Sequence, residues 1–157
     1  MQRNSRIYVA GHTGLLGSAI VGALNKYGHG NILVAEHGEL DLTDPREVVS
    51  FFATYKPRYV FMAAARVGSI HENIKYPAEF ISDNLKIQQN IFDNAYRCGV
   101  QKLIFFGSNC MYPRECPQPI KEEYLYFGPL EPTNRPYAVA KLAGLEMCRA
   151  YNKQYGT

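Results

Sequence analysis

The sequence predicts an α/β fold, a doubly wound parallel sheet, and three observations predict it. Short, nearly continuous apolar runs recur at Ile7–Ala10, Ile32–Ala35, Tyr59–Ala63 and Lys102–Phe106, which is how strands buried on both faces read. Longer segments with helical periodicity lie between them, and strands alternating with helices call for a parallel sheet with helices on both faces. The first run leads into a glycine-rich turn, Gly11-His-Thr-Gly14-Leu-Leu-Gly17, and then directly into a helix. With right-handed crossovers this becomes the dinucleotide-binding, or Rossmann, fold.

Each element has its own justification. After the strand ending at Gly11, apolar residues at Leu15, Leu16, Ala19, Ile20, Ala23 and Leu24 repeat at helical spacing, and Gly28 and Gly30 mark the helix end. Ile32–Ala35 is the second strand. Asp44-Pro45 opens the next helix, with Pro at the first helical position, and that helix carries Val48, Val49, Phe51 and Phe52. Tyr59–Ala63 is a strand, and a long helix runs from Pro77 to Cys98. Lys102–Phe106 is a strand ending at Gly107-Ser108. The loop from Met111 to Arg135 is long, and such loops are functional or mobile. A last helix bears Tyr137 and Lys141 and reaches Tyr155. Thr157 then follows with no further strand, so the expectation is one dinucleotide-binding domain over residues 1–157, truncated before its C-terminal strands and a substrate domain.

Composition narrows the function classes. A chain of 157 residues with net charge +3 and no run of basic residues offers no nucleic-acid footprint. No apolar stretch reaches the length of a membrane span, and no signal peptide opens the chain, so no membrane partner is expected. Cysteines at 98, 110, 116 and 148 form no Cys-x-x-Cys pair, and no histidine cluster completes a metal pattern. Reduced thiols in the cytoplasm, with no metal and no disulfide scaffold, are the expectation.

The candidate chemistry centres on Tyr137 and Lys141, which at i, i+4 share one helix face. A Lys⁺ beside a tyrosine favours the phenolate and is expected to lower its pKa from the usual value of about 10. With the Ser108 hydroxyl to hold the substrate oxygen, this is equipment for protonating a carbonyl as hydride arrives. Gly11, Gly14 and Gly17 permit a tight turn and close approach of a pyrophosphate, and the helix N-terminus at Thr13, Gly14, Leu15 and Leu16 supplies free N–H groups and a positive dipole end. Glu36 lies about 20 residues further on, placed either to bond the ribose 2′-hydroxyl of NAD or as a solvated loop carboxylate. Asp41 is placed either near the adenine amine or, like Thr43, as a helix cap. Ala63, Ala64 and Ala65 are small enough to let a cofactor lie across the strand ends. Asn84, a mediocre helix former inside a long helix, is a candidate to bond backbone near the site. Cys110 is read either as a structural thiol or as a proton exchanger.

Taken together, these motifs resemble the extended short-chain dehydrogenases/reductases that act on nucleotide sugars. The segments that carry the resemblance are Val9-Ala-Gly-His12, Ala63-Ala-Ala-Arg-Val-Gly68, Tyr76-Pro-Ala-Glu-Phe-Ile81, Gly107-Ser-Asn-Cys-Met-Tyr-Pro113, Leu130-Glu-Pro-Thr-Asn134, Pro136-Tyr-Ala-Val-Ala-Lys-Leu-Ala-Gly144 and Tyr151-Asn-Lys-Gln-Tyr-Gly156. The resemblance implies a GDP-sugar substrate, a 4-keto-6-deoxymannose epimerised at C3 and C5 and then reduced at C4. It implies NADP as cofactor, Ser108, Tyr137 and Lys141 as the reductive triad, and Cys110 as the thiol of epimerisation, working with a histidine absent from this chain. It implies a homodimer formed through a helix pair, with the 77–98 helix and the Tyr137 helix as candidates. This chain departs from the family pattern at Thr13 and Ala35, where arginines that bind the 2′-phosphate are usual, and with Glu36 this makes NAD possible. Asn109 and Arg135 replace a usual Ser and Glu.

Overall fold

A computed structural model describes residues 1–157. Four parallel strands form one sheet in the order β2-β1-β3-β4: β1 (Ile7–Ala10), β2 (Ile32–Leu33), β3 (Tyr59–Met62) and β4 (Lys102–Phe105). The helices are α1 (Leu15–Lys26), α2 (Pro45–Tyr55), α3 (Ile70–Lys75), α4 (Pro77–Arg97) and α5 (Arg135–Tyr155). Ala10 pairs in register with Met62, and Met62 with Phe105. The segments leaving β1, β3 and β4 therefore start side by side at the carboxyl edge of the sheet, where ligands bind in open α/β folds.

Local chemistry explains the element ends. Helix α1 stops at Tyr27 because Gly28 turns left-handed (φ +78) and the His29 N–H closes back onto Leu24 O at 3.0 Å. Asp44 caps α2, its carboxylate accepting the Arg46 N–H at 2.8 Å ahead of Pro45 at the first helical position. Strand β2 is shorter than the sequence suggests, and Val34 and Ala35 lie outside the ladder. The cause is local: the Glu36 N–H donates to the Glu39 carboxylate (3.0 Å) and the Leu40 N–H to Glu36 O (3.0 Å), a turn that draws the chain off the sheet. Helix α3 is an addition to the sequence reading. Ser69 and Glu72 form a reciprocal capping box at its start.

The core divides by strand parity. Tyr8, Ala10, Val60 and Met62 face Val48 and Phe52 of α2 and Ile87, Ile91, Phe92 and Ala95 of α4. Ile7 and Val9 point the other way onto Leu24, with Ile20 and Val21 of α1 around it. Helix α5 lies against α4, where Phe92 and Tyr151 rings sit 5.9 Å apart, the Tyr151 hydroxyl donates to Asp93, and Tyr96 stacks on Tyr155 at 4.0 Å. Parts of the two faces read as dimer candidates are thus used within the chain. All four cysteines are free thiols, and no helix is long and apolar enough to cross a membrane.

Candidate functional site

A cleft of about 920 Å³ opens along the carboxyl edge of the sheet. Its lining brings together Gly11, Thr13, Gly14, Leu15, Leu16, Gly17, Glu36, Asp41, Ala63, Ala64 and Ala65, all singled out in the sequence. The three glycines differ in what demands them. Gly11 has φ +80, and a Cβ there would come within 2.7 Å of the Ala64 backbone; a Cβ on Gly17 would reach 2.0 Å from Gly11 O. Those two glycines bring the β1 turn against the β3 end and α1 against the turn. Gly14 has ordinary backbone angles, and a Cβ would meet only Gly11 O, at 3.5 Å. Packing within the chain does not require its missing side chain, and the position lines the cleft.

That mouth suits an anion. Helix α1 has no side-chain cap and no acidic residue in its first turn, so its first N–H groups and positive dipole end face the cleft. Leu15 is 94% exposed beside it, apolar surface that a bound molecule would cover. The residues present therefore fit the pyrophosphate of a dinucleotide.

Asn84 does not line the cleft; it works from behind. It is buried, its Oδ1 accepts the Arg66 N–H at 3.0 Å, and its Nδ2 donates to Arg66 O (2.9 Å) and Phe80 O (2.7 Å). It thus clamps the loop after β3 to α4 and acts on backbone rather than on a ligand. At the far end of the cleft, Asp41 accepts both the Thr43 N–H and its hydroxyl at 2.8 Å, and these bonds hold its carboxyl below the usual range. Arg66 is the one Arg or Lys of the lining, and Asp83 (2.8 Å) and Glu79 engage its guanidinium.

Ser108, Cys110, Tyr137 and Lys141 lie outside that lining, gathered where β4 ends and α5 begins. Ser108 caps a 3₁₀ turn, Asn109–Met111, and its Oγ accepts the Cys110 N–H at 3.3 Å. Helix α5 presses close to β4 because Gly144 has no side chain: a Cβ there would meet Phe105 Cζ at 2.4 Å. The close approach sets the buried Lys141 beneath the strand end, where Nζ donates to Phe106 O at 2.9 Å and stands 5.9 Å from the Tyr137 ring centre.

The electrostatics differ from the sequence expectation. The Tyr137 phenol is pushed up, chiefly by burial and then by the Cys110 sulfur, while a hydrogen bond with Ser108 pulls it back. Burial lowers Lys141 to about 8. At this depth desolvation outweighs the attraction of the Lys charge, which is spent on the Phe106 carbonyl and the Phe105 ring face, 4.8 Å away. Sequence reasoning also missed Asn134, whose Nδ2 donates to Cys110 Sγ at 3.2 Å. No spacing rule joins a loop residue to a thiol of another segment.

An open parallel sheet with a glycine-lined cleft and a Ser–Tyr–Lys group at its carboxyl edge defines the class, a dinucleotide-binding α/β domain. The description "NAD dependent epimerase/dehydratase family" matches residues 7–157, and the chain belongs to that family. It is 55% identical over 155 residues to an Arabidopsis thaliana protein called putative GDP-L-fucose synthase 2, covering 99% of this chain and 47% of that one. Among solved structures, a GDP-D-glycero-L-gluco-heptose synthase from Campylobacter jejuni in the presence of NADPH superposes with TM-score 0.96 at 45% identity, over 100% of this chain and 46% of the other. A GDP-L-fucose synthetase from Naegleria fowleri bound to NADP gives 0.88 at 32% identity, over 98% of this chain and 46% of the other. The chain spans about half the length of the curated relatives it matches.

Proposed function

We propose that the protein to which this chain belongs converts GDP-4-keto-6-deoxy-D-mannose to GDP-L-fucose by epimerisation at C3 and C5 and reduction at C4. The observation that carries this reading is Cys110 standing beside Ser108 and Tyr137, which adds a second proton-transfer group to a reductive triad. Carbons next to a ketone are weak acids. Ser108 and Tyr137 can polarise the C4 oxygen and hold enolate charge while the Cys110 thiol exchanges a proton at the neighbouring carbon. The nicotinamide cofactor, when bound, supplies the hydride for C4. Tyr137 then gives its proton to the C4 oxygen, and Lys141 anchors α5 and holds positive charge beneath the phenol.

NADP is the cofactor this reading takes, as the Naegleria and Campylobacter structures support. The cleft has no unengaged Arg or Lys for a 2′-phosphate and carries Glu36 and Asp41, which supports use of NAD as well. A second reading, another GDP-linked 4-keto sugar such as a heptose, is favoured by the Campylobacter likeness and by Asn109 and Arg135 near the site. The proposed assembly is a homodimer in the cytoplasm, with the exposed Leu85, Tyr96, Val139 and Tyr155 of α4 and α5 available to a second copy. The test is oxidation of NADPH and NADH with GDP-4-keto-6-deoxy-D-mannose, using the natural full-length gene product. Formation of GDP-L-fucose supports the reading; oxidation only with a GDP-heptose analogue moves it to the second.

A further inference from the structure

The turn that precedes α5 is built more firmly than a connector needs. Glu131 accepts the Thr133 N–H (3.2 Å) and hydroxyl (3.1 Å), and its other oxygen pairs with Arg114 Nε at 3.2 Å. The Arg114 N–H in turn donates to Pro129 O at 2.9 Å. This bracing fixes the short 3₁₀ turn Pro132–Asn134, against which α3 also rests. What it delivers is the Asn134 amide, whose Nδ2 donates to Cys110 Sγ at 3.2 Å across 24 residues of chain. On its other side the sulfur faces Asn109 Oδ1 at 3.7 Å. The thiol is therefore held between a donor aimed at its lone pair and an acceptor for its proton. Asn134 Oδ1 is buried without a partner. An unmet buried acceptor is costly, so its retention needs a reason.

We propose that Asn134 is a positioning residue for the Cys110 thiol: its N–H fixes the sulfur and stabilises it once its proton has left. The inference deepens the function proposed above and rests on it, since it takes Cys110 as a proton-transfer group. A hydrogen bond to a charged partner is stronger than one to a neutral partner, so losing this donor leaves the sulfur least supported when it carries charge. Tyr137 of α5 is the titratable group beside the sulfur, and the turn adds the Glu131–Arg114 pair.

The experiment follows the rate of iodoacetamide alkylation at pH 7 in the full-length gene product, comparing wild type with Asn134→Ala and Asn134→Asp. Trypsin would release Leu103–Arg114, which holds Cys110 as its one cysteine, so mass spectrometry reads that thiol alone. Alkylation at pH 7 is expected to slow about tenfold in Asn134→Ala, and further in Asn134→Asp, where a carboxylate opposes charge on the sulfur. Half-buried Cys98 and Cys148 serve as the folding control and keep their wild-type rates. Unchanged Cys110 rates in both variants, with the controls intact, would overturn the inference. Deuterium uptake from solvent into the 4-keto sugar separates the two claims. No uptake in wild type sinks the epimerisation reading, while an Asn134-dependent alkylation rate still sustains the positioning role.

Discussion

Two mid-helix glycines should respond to the same substitution with opposite signs. Replacing glycine by alanine inside a helix gains about 1 kcal/mol of helix propensity. At Gly22 of α1 a Cβ meets nothing within 4 Å, so Gly22→Ala keeps that gain. At Gly144 of α5 it would meet Phe105 Cζ at 2.4 Å, Phe105 Cε2 at 2.9 Å and Gln88 Oε1 at 3.0 Å. The Phe105 ring has little room to retreat, because Phe92 lies 5.9 Å away and Lys141 Nζ 4.8 Å above it. Overpacking of this kind costs about 1–3 kcal/mol, more than the propensity gain at all but the lowest figure. Gly144→Ala is therefore expected to destabilise by about 1 kcal/mol net and to lower Tm by about 2–4 °C, while Gly22→Ala raises it by a similar amount. Thermal unfolding followed by circular dichroism reads both. Because α5 must lift to admit the methyl, Gly144→Ala should also loosen Lys141 from Phe106 and depress turnover about tenfold or more, as misplacement of catalytic groups does. A raised Tm for Gly144→Ala would refute the claim that this close approach sets the position of Lys141.

Lys141 makes a pH prediction with a definite sign. Its folded pKa of about 8 lies below the ordinary 10.5, so between these values the unfolded chain holds more protons and stability rises with pH, by roughly 3 kcal/mol in full. Denaturant midpoints measured from pH 7 to 10.5 should show that rise, Lys141→Met should lack it, and turnover should fall above about pH 8 as the charge is lost. Tyr137→Phe should abolish turnover and leave cofactor Kd within about threefold of wild type; retained turnover in a rate assay would remove Tyr137 from the proton-transfer role. Asn84→Ala, which frees both backbone groups of Arg66, should weaken cofactor binding about tenfold in a fluorescence titration with little change in fold content. The ratio of NADPH to NADH affinity should stay below tenfold, and Glu36→Gln should shift it toward NADPH; a wild-type ratio above that would restore a strict NADP site.

The parts of this molecule legible in its sequence are those written in local patterns. Ile7–Ala10 next to Gly11, Pro45 behind Asp44, and the apolar spacing of α4 each fix an element by themselves, and the parallel order follows from their alternation. The glycine cleft was legible because strand, turn and helix are contiguous. The end of β2 was not, since it depends on Glu39 capturing the Glu36 N–H. Helix α3 carried a signal, Ser69 and Glu72 at capping-box spacing, that periodicity over so short a stretch does not reveal. The direction of the Tyr137 shift was misread because spacing places Lys141 on the same face but says nothing of depth. Asn134 stands in the Leu130–Asn134 segment that carries the resemblance, but its bond to Cys110 had no signal, as that partner belongs to a distant turn.

The alignment of Ala10, Met62 and Phe105 across three strands has a thermodynamic consequence. A dinucleotide that touches the Gly11 turn, the Ala63–Ala65 loop and the Ser108 turn would bind only chains in which all three strands are paired in this register, so its binding energy is added to the folded state alone. At a hundred times its Kd that contribution is about 2.7 kcal/mol, enough to couple the strand ends into one cooperative unit. Amide exchange at the β3–β4 pairing should then slow on cofactor addition even though no ligand atom reaches it.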